Sequence, residues 1–549
     1  MGAENEAYPG RGRSTVPLTP LFVAGALLVA AYLSLLWSLD GLPFEDTPNH
    51  LSRAVVIADL LFHGGRRFGH AFTFQLAFAP YILSDLALAP LVEAFGPYSA
   101  GRLWMMLVAA SLPVSVAVYL RLTGHSAYSV VIACVLALYL GTDWFFVNGF
   151  GSFRLAVAWT LLATAVWLRY LRSGTAWAYL AHVAILVAGY LTHLSALLFS
   201  AAAVGTVAVV ALVSRQAPRA RLAWGGLPLA ALFGWHVLSS GPDEGTALWR
   251  LPVAKKILRL ASSFDRFDVV TETVLVVLFA VACGLMAVGW RRARASARVV
   301  TPAVLSLAFL GVYVALPYEK GEITYIDVRA VPVIAIFALL SAVAIAEQRA
   351  RRSWVVAALA IALAGANLWV LAAHLRPANA EMLRYRAVAA RIPPGAVVLP
   401  IMTRPRVGRS EPYANAGTLA TIEAAAMTPY IFQGIAQPYF RARALPWAPA
   451  EYWYVYGADP GDAALIARTY DFVLAMTPFD RARLPVRTEE VARNDAAVLL
   501  KLNRSPAHGR PVLGSIRRGG RINRCGSTRS PCGGTAPSAG ASAPPPGAW

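Results

Sequence analysis

Eleven apolar runs dominate the chain, at 17–39, 99–120, 127–146, 154–171, 176–192, 194–213, 222–240, 269–290, 300–317, 331–347 and 353–374. A hydrocarbon core of about 30 Å takes roughly 20 residues of α-helix to cross. A backbone in lipid must also satisfy its own hydrogen bonds, which helices do within one segment. The fold class is therefore a polytopic α-helical membrane protein of about 11 transmembrane helices. Composition agrees: of 549 residues 57% are hydrophobic and 14% charged. Soluble domains carry about 25% charged residues, so an ordinary soluble enzyme is excluded.

The formal charge is +20, which in a soluble chain would suggest nucleic acid. Its distribution gives it another meaning. Arg121, Arg169, Arg172, Arg215, Arg219, Arg221, Arg291, Arg292, Arg294, Arg298, Arg349, Arg351 and Arg352 stand in short loops between the apolar runs, beside a single acid, Glu347. With the N-terminus in the cytoplasm, every one of these loops is cytoplasmic, as the positive-inside bias demands, and the segment after 374 emerges on the far side. The charge is a topology signal, and no nucleic-acid partner is expected. Residues 69–95 are apolar but carry Asp85, Glu93, Pro80 and Pro90. One crossing there would invert every later loop, and two do not fit the length. The stretch is read as helices at, or dipping into, the outer interface. Trp37, Trp104, Trp144, Trp235 and Trp369 then fall at outer span ends, and Trp167, Trp177, Trp224, Trp290 and Trp354 at inner ends, the two headgroup layers that tryptophan favours. Arginine far outnumbers lysine, and alanine is abundant, which suggests a GC-rich bacterial genome and hence a bacterial inner (plasma) membrane. Cys134 and Cys283 lie inside spans, and Cys525 and Cys532 have no further ligands at zinc spacing, so no structural metal is expected.

The chain divides into a cytoplasmic N-terminus (1–16), a transmembrane unit (17–374) with interfacial helices in its first outer loop (40–98), an extracytoplasmic α/β domain (375–504) and a tail (505–549). The α/β domain is expected to hold helices at 379–392 and 461–469 and strands at 396–401, 471–476 and 497–502. The tail is rich in Gly, Pro, Ser and Arg, cannot bury a core, and is expected to be disordered.

Polar chemistry gathers at the outer face. The densest cluster is the first outer loop, LDGLPFEDTPNHLSRAVVIADLLF, residues 39–62. Thr47 as N-cap and Pro48 as first helical residue start a helix directly after Glu45 and Asp46. Leu51, Val55, Ala58 and Leu61 form a stripe opposite Ser52 and Asp59, as in a helix lying on a membrane surface. A helix N-terminus favours anions, so Asp46 is expected to stay ionised and to accept a proton or hold a cation that bridges phosphate. The alternative role is a simple cap. In TDWFFVNGFGSFRLAVAW (142–159), Asn148, Gly149 and Gly151 form a tight turn, and Arg154 opens the next helix, placed either to pair with a lipid phosphate or to snorkel. In PYEKGEITYIDVRAVP (317–332), Glu319, Lys320, Asp327 and Arg329 precede the tenth span and are either ligand groups or internal ion pairs. His193 starts the sixth span as a hydrogen-bonding group for sugar or phosphate, or as a satisfied helix-end histidine; His182, mid-span, is structural.

This layout resembles the GT-C superfamily of membrane glycosyltransferases, which use polyprenyl-phosphate sugar donors, and is nearest to the branch of protein mannosyltransferases and lipid A aminoarabinose transferase. The resemblance covers about residues 1–505. It rests on the first span, the Glu45–Asp46 pair running into interfacial helices, FGPYSAGRLWMML (95–107) at the second span, and IPPGAVVLP (392–400) opening the C-terminal domain. It implies a GT-C-like fold and inverting transfer to an extracytoplasmic acceptor, whether glycan, lipid or protein. Asp46 matches the first-loop acid that acts as catalytic base or metal-binding group. Glu45, His50, Arg53, Asp143, Arg154, His193, Lys320, Asp327 and Arg329 become substrate-binding candidates. Glu45 and Asp46 are the candidate ligands of a divalent cation, and membrane lipid is a partner. Here TPNHLSRA follows the acid and no Lys-Pro-Pro motif is present, which leaves donor and acceptor open.

No P-loop, GxSxG, HExxH or nucleotide-binding glycine fingerprint occurs. The alternatives are a transporter or flippase of a lipid-linked substrate and a noncatalytic membrane scaffold. The first is disfavoured by the lack of an internal repeat and by polar groups at one face rather than the midplane.

Overall fold

The computed structural model describes residues 18–215, 217–239, 248–260, 262–288, 296–320, 324–348, 354–431, 437–443, 446 and 463–503. The N-terminal segment 1–16, the tail 505–549 with its two cysteines, Trp290, and the loop arginines at 291, 292, 294, 349, 351 and 352 lie outside the described residues.

The helices in chain order are α1 (Leu18–Trp37), α2 (Thr47–Phe62), α3 (Ile82–Phe95), α4 (Pro97–Thr123), α5 (Ala127–Gly141), α6 (Trp144–Val147), α7 (Gly151–Ser173), α8 (Ala176–Thr192), α9 (Leu194–Val213), α10 (Arg219–Ser239), α11 (Val253–Arg259), α12 (Val269–Ala287), α13 (Ala297–Ala315), α14 (Val331–Gln348), α15 (Trp354–Ala389) and α16 (Leu419–Ala424). Among the described residues nine helices are long and apolar enough to cross a membrane, and α5 and α8 are shorter apolar helices. Each of the eleven runs read from the sequence coincides with one of them. Phe22, Leu27, Trp177, Val213, Leu238, Val270 and Leu307 are all more than half exposed on the bundle exterior. Apolar surface of that extent belongs against lipid. The chain is a multi-pass helical membrane protein.

α4, α5, α7, α9, α14 and α15 build the centre of the bundle, and α10, α12 and α13 lie toward its edge. α15 decides how the bundle meets the C-terminal domain. It is a single helix of 36 residues, about 54 Å at 1.5 Å per residue, so it leaves the hydrocarbon layer and continues as a wall of the domain. The sequence suggests a break between 374 and 379, but Pro377 sits inside the helix. Leu375, Ala378, Met382, Tyr385 and Val388 keep one buried stripe across it, and that packing outweighs the lost hydrogen bond of the proline.

The strands are β1 (Phe72–Phe74), β2 (Leu248–Trp249), β3 (Glu319–Lys320), β4 (Val398–Ile401), β5 (Phe440–Ala442), β6 (Phe472–Met476), β7 (Thr488–Arg493) and β8 (Ala497–Leu502). The C-terminal domain has a four-stranded sheet in the order β4-β6-β8-β7, with β4 and β6 parallel and the other pairs antiparallel. One face packs on Met382, Tyr385 and Leu419, the other on Ile466, Tyr470 and Leu484. β7, TEEVAR, is absent from the sequence reading because its exposed glutamates and arginine obscure the strand period; it is a charged edge strand.

The segment that follows α1 differs from expectation in one respect. α2 does not lie on a membrane surface. Leu51, Val55 and Ala58 of its stripe are buried, as is its polar face, with Ser52, Arg53 and Asp59 at most 4% exposed, while Leu61 at the end of the helix is exposed. The reason is cover from above: α16 and the Thr418 turn sit on it, and Ser52 donates to the Thr418 carbonyl at 2.7 Å. The stretch 69–95 folds into β1 and the 14-residue α3, about 21 Å long and too short to cross. β1 pairs with β5, and Phe72 stacks on Phe440 at 5.2 Å, so the loop is stitched to the C-terminal domain.

Four ion pairs are sealed at this end of the bundle: Arg53–Asp85, Arg154–Asp143, Lys256–Asp327 and Arg266–Glu272, with every side chain at most 2% exposed. Removing one partner leaves a buried charge uncompensated, which costs about 3–5 kcal/mol. Arg154→Met is expected to lower Tm markedly in detergent, and Arg154→Met with Asp143→Leu is expected to recover most of the loss, as thermal unfolding of the three proteins would show.

Candidate active site

Asp46 sits at the N-cap of α2, one residue earlier than the sequence suggests, yet its side chain makes no capping hydrogen bond. Its backbone is held instead by the 142–151 turn: the Asp46 amide donates to the Asn148 carbonyl at 3.1 Å. Gly149, at φ +76, lies so close that a Cβ would stand 2.8 Å from the Asp46 and Thr47 nitrogens. Only glycine meets both demands. The Asp46 carboxylate is turned toward the C-terminal domain, where Asn415 Nδ2 donates to it at 3.1 Å. Asn49 backs this contact by donating to the Tyr430 carbonyl at 2.8 Å.

Asp46 is 8% exposed. Burial pushes its pKa up to about 7, against the smaller opposing pull of Arg329 and Arg53. An always-ionised Asp46, as expected from the helix terminus alone, is therefore corrected: desolvation outweighs the helix end. The surrounding cations are only partly satisfied. Arg53 forms a two-pronged pair with Asp85 at 2.9 Å, and Tyr439 donates to the same carboxylate at 2.7 Å. Arg53 Nη2 also donates to His50 Nδ1 at 3.0 Å, but Arg53 Nη1 has no partner. Arg329 lies 5.7 Å from the Phe153 ring centre, and its Nε has no partner. Burial and the neighbouring guanidinium drive His50 down to about 3. Burial, Arg329 and His50 likewise hold His193 well below the usual range. Both imidazoles are neutral. Tyr81 links His193 to the cations: its hydroxyl is 3.3 Å from His193 Nε2, its electrostatic partners are Arg329 and Arg53, and its backbone is strained at φ +73. Buried N–H groups without acceptors beside a buried carboxylate and neutral donors suit an anion.

The structure therefore gathers Asp46, His50, Arg53, His193 and Arg329 into one neighbourhood. It assigns other places to the remaining candidates. Arg154 does not reach a lipid phosphate: it is 1% exposed, paired with Asp143 at 2.9 Å, and donates to the Leu140 carbonyl. Asp143 also caps α6 through the Phe146 amide. Asp327 accepts from the Val328 amide at 2.8 Å and pairs with Lys256 at 3.1 Å, so it fixes the turn that carries Arg329. Lys320 lies in β3 opposite Leu248. Glu45 lines a separate cleft with Trp144, Tyr325 and Glu411. No three His, Cys, Asp or Glu side chains converge as a metal site among the described residues. Asp85, Tyr81, Tyr439 and Asn415 escaped the sequence reading as site residues. Asp85, a carboxylate in an apolar stretch, carried a signal. Asn415, 369 residues from Asp46 in the chain, carried none.

Two solved structures of ArnT from Cupriavidus metallidurans match this architecture. The apo form aligns with a TM-score of 0.53 at 12% identity, over 88% of this chain and 98% of that one. The form bound to undecaprenyl phosphate aligns with a TM-score of 0.51 at 13% identity, over 86% and 97%. The chain shares the fold of these two structures. No family model matches the sequence, and no curated protein sequence matches it.

A carboxyl group whose pKa is raised by folding stabilises the protein below its unfolded value, near 4, and loses that contribution as pH rises through about 7. Asp46→Asn removes the ionisation. Its Tm is expected to exceed that of wild type at pH 8, with the gap opening between about pH 4 and pH 7, as parallel melts across that range would test.

Proposed function

We propose that this protein is a membrane glycosyltransferase that moves a sugar from a polyprenyl-phosphate donor to an extracytoplasmic acceptor, with inversion at the anomeric carbon. The observation that carries the reading is Asp46 itself: a buried carboxylate, excused from capping its helix, with its pKa near 7 and partnerless guanidinium N–H groups of Arg53 and Arg329 close by. The fold supports it, since ArnT, which shares that fold, has been solved bound to undecaprenyl phosphate. The arginine-rich loops support an N-terminus in the cytoplasm of a bacterial cell and a C-terminal domain outside it.

In this reading the acceptor hydroxyl gives its proton to the Asp46 carboxylate as its oxygen bonds to the anomeric carbon. The bond from that carbon to the phosphate oxygen breaks, and its electron pair leaves with polyprenyl phosphate. A base with a pKa near the working pH combines adequate basicity with a usable deprotonated fraction. Arg53 and Arg329 meet the charge that grows on the leaving phosphate, and neutral His50 and His193 add hydrogen bonds without adding charge.

Release of free polyprenyl phosphate from a panel of polyprenyl-phosphate sugars, with purified protein in lipid, tests the proposal. Wild type is expected to release it, and Asp46→Asn to be slower by about 10²–10⁴-fold. kcat/KM is expected to rise with pH and level off above about 7, because the deprotonated carboxylate is the active form. Arg329→Gln is expected to lower kcat about 10²-fold. Assays with and without a chelator decide whether a divalent cation joins Glu45 and Asp46. Turnover of Asp46→Asn at the wild-type rate refutes the base assignment, and silence of wild type toward every donor refutes the transferase in favour of transport or scaffolding.

A further inference from the structure

Glu45 and Asp46 are consecutive, as are Val328 and Arg329. In each pair the second residue belongs to the buried cluster, while the first borders a cleft of about 650 Å³, counted out to its open mouth. The lining of that cleft differs in kind from the cluster. On one wall the rings of Trp144 and Tyr325 stand 4.9 Å apart, and Tyr318 meets Tyr325 nearly edge-on at 5.6 Å. Tyr325 holds φ +58, a left-handed backbone that is an outlier for a bulky residue, so strain is stored where this ring is presented. The polar wall is built of ion pairs. Arg409 binds Asp265, and Arg406 binds Glu411 at 2.8 Å. Two atoms are left over: Ser263 Oγ, on a residue 1% exposed, and Asp265 Oδ1 are shut from solvent without a hydrogen-bond partner. Such groups are costly to leave unmet, and a ligand's hydroxyls would meet them. Three carboxylates, Glu45, Asp265 and Glu411, are balanced by three guanidiniums, Arg259 and Arg409 in the lining and Arg406 paired with Glu411. The cleft has no surplus cation for a phosphate.

We propose that this cleft is the acceptor site and that the acceptor is a neutral carbohydrate. The assignment rests on the transferase reading above. The apolar face of a sugar ring lies on Trp144 and Tyr325, its hydroxyls bond Ser263 and Asp265, and the hydroxyl nearest Glu45 is handed to Asp46. The cationic cluster and the aromatic cleft thus divide the two substrates by chemistry: phosphate to the first, polyol to the second. The balanced charge of the cleft favours a neutral glycan over an acidic one, for which no surplus cation is present.

The test is saturation-transfer NMR on the full chain in lipid nanodiscs, with maltotriose, cellotriose and mannotriose as carbohydrate probes and a serine- and threonine-containing peptide as the competing acceptor class. At least one trisaccharide is expected to bind, and binding is expected to weaken about tenfold on loss of the aromatic contact in Tyr325→Gly. That variant removes the ring while suiting the positive φ. Ser263→Ala is expected to weaken binding as well, at unchanged Tm. Failure of every trisaccharide to bind, equal binding in both variants, or peptide binding that Tyr325→Gly abolishes overturns the proposal. Polyprenyl phosphate release by wild type is scored separately. Trisaccharide binding without release removes the transferase reading and keeps a carbohydrate cleft; release without trisaccharide binding removes the cleft assignment and keeps the transferase.

Discussion

The Arg53–Asp85 pair is the contact on which the arrangement around Asp46 depends. Arg53 belongs to the helix that Asp46 begins, Asp85 to the short helix that follows β1, and Tyr439, which donates to Asp85, to the C-terminal domain. Two neighbouring segments, 32 residues apart, and a third 354 residues beyond Asp85 are thereby locked around one buried charge pair. Such a pair gains little over an apolar substitute but is expensive to break, so it acts as a register pin. With α2 pinned, Asp46 is held under the C-terminal domain instead of facing water.

The consequence for Asp46 is electrostatic. A carboxylate at a helix N-terminus is ordinarily stabilised as an anion. Here the roof formed by Asn415 and its neighbours removes solvent, and burial reverses that preference. The same roof leaves Arg53 Nη1 and Arg329 Nε without acceptors. Buried polar groups with unmet hydrogen-bonding capacity occur elsewhere in the chain as well; what marks this site is that two such guanidinium groups stand beside a buried carboxylate whose pKa is raised. The other buried pairs, Arg154–Asp143 and Lys256–Asp327, hold the turns that present the site.

The spans were legible because lipid imposes a length and a polarity that any eleven-helix chain must write into its sequence. The three principal strands of the C-terminal sheet were legible for a similar reason, as AVVLPI, DFVLAM and AVLLKL are apolar runs bounded by polar residues. β7 was not, because an edge strand exposes charge on both sides of its period. The last span and the helix at 379–392 were read as separate elements because the composition changes after 374; the continuous buried stripe that joins them as α15 appears only in the packed structure.

The sequence by itself determined the solvent in which the chain folds, the positions of its helices, and the prominence of Glu45 and Asp46, since each of these follows from composition within a short window. Only the tertiary structure decided which guanidinium N–H groups stay without acceptors, that Arg154 serves Asp143 and not a ligand, and that Asn415 reaches Asp46 from 369 residues away. Those outcomes depend on which segments share a buried volume. Burial is a property of the assembled chain, and no window of sequence contains it.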